Sequence, residues 1–86
     1  MPQISRFFGI IISMFYNEHS PHHFHATYGE FNAEISIREL VIISGHLPPR
    51  VLGLVIEWAA QHKSELLENW NLAESKQVLN RIEPLL

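Results

Sequence analysis

The sequence predicts an α+β fold, an antiparallel β-meander of three to four strands followed by one or two C-terminal helices packed on one face. Three observations predict it. Apolar and polar residues alternate cleanly from Phe31 to Arg38. A Gly29-Glu30 pair separates that run from a second alternating run. After Pro48-Pro49, apolar residues recur at three- and four-residue spacing.

The chain has 86 residues, 47% of them hydrophobic and 17% charged. That composition supports a single domain over 1–86, with the sheet at about 3–45, helices at about 48–75 and an irregular tail at 76–86. A chain of this size buries only about 60–65% of the surface its unfolded state exposes, so a partner subunit could add what the core lacks. The absence of cysteine excludes a disulfide framework and thiolate chemistry, and points to a reducing cytoplasm. The apolar run Ile10-Ile11-Ile12-Ser13-Met14-Phe15-Tyr16 is too short to cross a bilayer and leads into Asn17-Glu18-His19, not a small-residue cleavage site. No membrane association is expected. A net charge of −3 argues against a protein that simply tracks phosphates. Histidine qualifies this, because four of the six histidines lie between His19 and His25.

Gly9 to Tyr16 is β-branched and aromatic and reads as the first strand. Asn17 to Pro21 is a loop. In the next run His22, Phe24, Ala26 and Tyr28 share one face, with His23, His25 and Thr27 opposite. Gly29-Glu30 fits a two-residue hairpin turn in which glycine supplies the positive φ. Register follows: Tyr28 faces Phe31, Ala26 faces Ala33 and Phe24 faces Ile35 on the core side, while His25 faces Glu34 and His23 faces Ser36. Carried through the preceding loop, the same logic pairs Tyr16 with His22 and sets Phe15 beside His23 and Ser13 beside His25. A last strand spans Val41 to Ser44, with Gly45-His46-Leu47-Pro48-Pro49 breaking it. Pro48 or Pro49 starts a helix whose stripe is Leu47, Val51, Leu54, Val55, Trp58, Ala59 and His62. Ser64 is a candidate N-cap for a second helix that buries Leu66, Leu67, Trp70 and Ala73. Glu65 and Asn69 read as an exposed helical pair. Ile82 and Leu85 could dock the tail or add an edge strand.

One constellation carries possible chemistry: His19, His23 and His25 near Glu34 and Ser36, with Ser13 and Phe15 alongside. Three readings compete. As an acid–base site, His23 and His25 would move protons, as in metal-independent RNA cleavage, with Glu34 orienting and Arg38 holding phosphate. As a metal site, His19, His23 and His25 have suitable donors, but no helical ligand motif accompanies them and no cofactor is expected. As ordinary packing, the histidines contact Phe15, a partner or water, and Glu34 is a cross-strand pair. Trp58, Trp70, His46 and His62 are better explained structurally.

The segments Pro2 to Ile10 and Pro21-His22-His23-Phe24-His25-Ala26-Thr27-Tyr28-Gly29-Glu30 resemble a small bacterial family catalogued as domain of unknown function 4160. Glu57-Trp58-Ala59, His62, Glu65 to Trp70 and Ile82-Glu83-Pro84-Leu85 extend the resemblance over nearly the whole chain. Its signature falls on His19, Pro21, His23, Phe24, His25, Tyr28 and Gly29. The chain departs from it at His22, where a second proline is usual, and at Arg38-Glu39-Leu40, where a glycine-containing turn is usual. The resemblance implies a short cytoplasmic protein encoded beside another small protein, in a pair of toxin–antitoxin type. The expected function is therefore one half of such a pair. It would act through the histidine-bearing sheet face on a small protein partner, with RNA as a second candidate and a homodimer as a third association. A non-catalytic interaction module and a histidine-based metal binder are the alternatives.

Overall fold

A computed structural model describes residues 2–16 and 21–86. It contains an antiparallel sheet followed by two helices: β1 (Gln3–Phe7), β2 (Ile10–Ser13), β3 (His23–Tyr28), β4 (Phe31–Ser36), β5 (Ile42–His46), α1 (Pro49–Gln61) and α2 (Lys63–Glu74). The strands lie side by side in chain order, β1-β2-β3-β4-β5, as a meander does. The α+β class is as expected, with five strands where three to four were expected.

The added strand is β1. Its alternation is broken by a register shift between Gln3 and Ser5, so neighbouring Ile4 and Ser5 are both buried and period two is lost. The expected first strand, Gly9 to Tyr16, shortens to β2 because Phe8 and Gly9 form the tip of a hairpin that pairs Phe7 with Ile10. Both tip residues have positive φ, 50° at Phe8 and 78° at Gly9, the requirement of a type I′ turn.

The β3–β4 hairpin has the predicted register throughout, from Tyr28 opposite Phe31 to His23 opposite Ser36. Gly29 takes φ 59° at its tip. β4 ends at Ser36 rather than Arg38, and residues 37–39 turn. Leu40 then adopts φ 56° where the chain turns toward β5. β5 runs two residues beyond the expected end, through Gly45 to His46. Gly45 pairs with Ala33, and a Cβ at Gly45 would lie 2.3 Å from the Asn32 carbonyl oxygen. The glycine lets the two backbones approach, so it continues the strand where the sequence suggested a break.

The core lies between the sheet and the helices. Ile10, Ile12, Phe24, Ala26, Ala33 and Ile35 project from one sheet face into it, and Val51, Val55, Trp58, Leu66 and Trp70 meet them from the helices. Trp58 packs on Phe7, Phe24 and His62 with ring centroids 5.5, 5.9 and 5.5 Å away. Pro49 opens α1 as expected. The second helix starts at Lys63, one residue before the candidate cap. His62 occupies the junction, with its ring nitrogen Nδ1 2.6 Å from Glu65 Oε1. Ser64 therefore lies inside the first turn and caps nothing.

Asn69 also departs from expectation. It is fully buried, donating through Nδ2 to the Asn80 carbonyl and accepting at Oδ1 from the Asn80 N–H, both at 2.9 Å. This clamp holds the tail, which also accepts the Trp58 indole N–H at the Glu83 carbonyl (2.7 Å) and donates from the Ile82 N–H to the Ile4 carbonyl on the outer edge of β1 (2.8 Å). Ile82 and Leu85 are buried as a result. The tail thus docks on the core and covers part of one sheet edge.

Candidate functional site

The sheet face opposite Phe24 and Ala26 carries the candidate residues, and Trp70 of α2 reaches it at His23, the first residue of β3. Its geometry follows from register. Ser13 pairs with His25, His25 with Glu34 and Glu34 with Ser44, which makes one row across β2 to β5. Ile11, Thr27, Asn32 and His46 form a second row beside it, extended onto β1 by Arg6. Adjacent strands sit about 4.8 Å apart, so each four-strand row spans roughly 14 Å.

The expected neighbours of His25 are only partly those observed. Ser13 is beside it, as predicted. Phe15 packs its ring edge on His25, with centroids 4.4 Å apart, although the loop register had set it beside His23. Tyr16 does not pair with His22 in the β2–β3 ladder, and its hydroxyl donates to the Gln77 carbonyl at 3.0 Å. β2 ends at Ser13, so the ladder does not extend to Phe15 and Tyr16. His19 lies outside the described residues.

His23 and His25 share a strand face but not an environment. Their ring centroids are 5.3 Å apart. His23 is only 5% exposed, packed 5.3 Å from the Trp70 ring, with His22 on the same indole at 5.0 Å. Its Nδ1–H donates to the Pro21 carbonyl at 2.8 Å, a bond that fixes the ring and puts the hydrogen on that nitrogen. Its Nε2 then lies 3.7 Å from Glu34 Oε1, beyond hydrogen-bond length and within ion-pair distance of a protonated ring. Glu34 thus reaches diagonally across the hairpin to His23, as a long side chain can. The Glu34 side chain is 40% exposed and His25 is half-buried, so these two open the site to solvent.

The remaining candidates are dispersed. Ser13 and Ser36 are buried. Ser36 Oγ accepts the Glu39 N–H at 3.1 Å and so serves the turn that ends β4. Arg38 is exposed in that turn, beyond the strand, and its backbone carbonyl accepts from Lys63 Nζ. Among the described residues, no three His, Cys, Asp or Glu side chains are grouped closely enough to hold a metal ion.

Two contributions were missed from sequence. Ser44 and His46 extend the polar rows onto β5; Ser44 lay inside the expected strand without being set opposite Glu34, and His46 was hidden by reading Gly45 as a break. Trp70 closes over His22 and His23. Its place on a helical stripe marked it as core, but not which residues it would cover.

Comparison with known proteins adds the family. The model of the family described as "Domain of unknown function (DUF4160)" matches residues 9–71. The chain belongs to this family. The match to DUF4160 takes in both rows of the outer face except Arg6, and both helices except the last residues of α2. No curated protein and no solved structure matches the chain. No helix among the described residues is long and apolar enough to cross a membrane.

Proposed function

We propose that this DUF4160 protein is one half of a toxin–antitoxin-like pair and binds a small protein encoded beside it through the outer sheet face centred on His25 and Glu34. The observation that carries this reading is the contrast between the two histidines. Acid–base catalysis on RNA would need both imidazoles at the substrate, yet His23 is sealed against Trp70 while His25 stands half-open beside an exposed carboxylate. Phosphate binding is also poorly served. The two rows carry Glu34 near their centre, and Arg6 is the one lysine or arginine in them. A patch of imidazole, amide, hydroxyl and carboxylate beside Phe15 suits the centre of a protein interface, where polar groups buried and paired on binding are costly to truncate.

The test is growth of cells expressing this chain, its neighbour, or both. One protein alone should arrest growth, and co-expression should restore it. Restoration should be lost when His25→Ala and Glu34→Ala are combined in this chain, whichever half is toxic. Absence of arrest with either protein, or rescue undisturbed by the double variant, contradicts the proposal. Arrest by this chain accompanied by RNA cleavage would move the reading to catalysis.

A further inference from the structure

A second surface, distant from the outer face, lies at the hairpin-tip end of the core side. Phe8, Ile10, Tyr28, Arg50, Val51 and Leu54 line an open cleft of about 280 Å³ between the β1–β2 turn, the end of β3 and the first turns of α1. Phe8 is 61% exposed and Tyr28 38%. Phe8 is held there in left-handed backbone, φ 50°, which costs a non-glycine residue about 1–2 kcal/mol. Asparagine would suit this turn position better, so the turn itself gives no reason for an aromatic ring. Arg50 is the charged residue in the lining. Among the described residues no carboxylate is within ion-pair distance of Arg50, and the first turn of α1 holds no acidic side chain. The cleft therefore offers two aromatic rings, three aliphatic side chains and one positive charge with no internal counter-charge.

We infer that this cleft docks a peptide segment of a protein partner in which a bulky apolar side chain lies next to a carboxylate. The apolar side chain fills the space between Phe8, Tyr28 and Leu54, and the carboxylate meets the Arg50 guanidinium, whose planar donor fork suits it. The site is independent of the outer face, which lies on the other side of the sheet.

The probe is a terminally blocked hexapeptide, GDLFDG, titrated into ¹⁵N-labelled protein, with GNLFNG as its uncharged analogue. GDLFDG at about 1 mM should shift the amide signals of Phe8, Tyr28, Val51 and Leu54. GNLFNG should bind about fivefold more weakly, the effect of one ion pair at a rim. Arg50→Gln should make the two peptides equal. Phe8→Asn should weaken both severalfold while giving the turn a favoured Asn-Gly pair, so that loss of binding is not loss of folding. His25→Ala should change neither titration. No shift at these residues, equal binding of the two peptides to wild type, or discrimination surviving Arg50→Gln would overturn the assignment. Concentration-dependent shifts at Phe8 and Tyr28 without peptide would identify a second copy as the occupant and overturn it as well.

Discussion

Replacing Trp58 with alanine is expected to lower stability by about 3–5 kcal/mol, a large share of what a domain of this size has. A domain of 86 residues at roughly 0.05–0.15 kcal/mol per residue has only about 4–13 kcal/mol in total. Trp58 is completely buried and joins three parts of the molecule. Its ring packs on Phe7 of β1 and Phe24 of β3, and its indole N–H holds the Glu83 carbonyl of the tail. Alanine would leave a cavity the size of an indole with rigid strands on one side, which cannot collapse into it. Trp58→Phe separates the contributions. It keeps most of the ring and gives up the hydrogen bond to the tail, for a loss of about 1–2 kcal/mol. Urea denaturation measures both. A loss under 1 kcal/mol for Trp58→Ala would mean that the helices do not depend on this contact.

The second large effect distinguishes two residues that look alike in sequence. His23→Ala should cost about 2–3 kcal/mol, through lost packing on Trp70 and a lost bond to the Pro21 carbonyl. His25→Ala should cost under about 1 kcal/mol, because the ring is half-open and packs edge-on with Phe15. The same pair of denaturation curves decides the matter. Equal losses would remove the basis for treating His23 as structural and His25 as functional. A combined His23→Ala/His25→Ala variant would therefore confuse misfolding with loss of function.

How much of this was legible in the sequence depended on whether the determining contact was local. The His25–Glu34 pairing could be read because Gly29-Glu30 sets a two-residue hairpin, and register then follows by counting. The place of Ser13 beside His25 came from carrying the count back through the loop before β3, and that count failed at Phe15 and Tyr16 because β2 ends at Ser13. The burial of His23 was not legible, because Trp70 arrives from α2 and nothing in the strand pattern announces it. Asn69 was misread for a related reason: a polar residue at a helical position looks solvent-facing until its partner, the Asn80 backbone, comes back over it. β1 was hidden by its own irregularity, where the shift between Gln3 and Ser5 breaks period two. Gly45 illustrates how one residue type carries opposite signals. Glycine usually interrupts a strand, but here the close approach of the Asn32 carbonyl requires it.

Protein binding by the outer face is the role we propose for this chain. The direct measurement is a calorimetric titration of this chain with the purified product of the neighbouring gene, using wild type, His25→Ala and Glu34→Ala. Both substitutions lie where the side chains reach solvent, so the folded state should survive them. If the face is the interface, wild type binds and each variant binds at least about thirtyfold more weakly, the mark of a residue at an energetic centre. Affinity unchanged by either substitution, with both variants folded, would contradict the account.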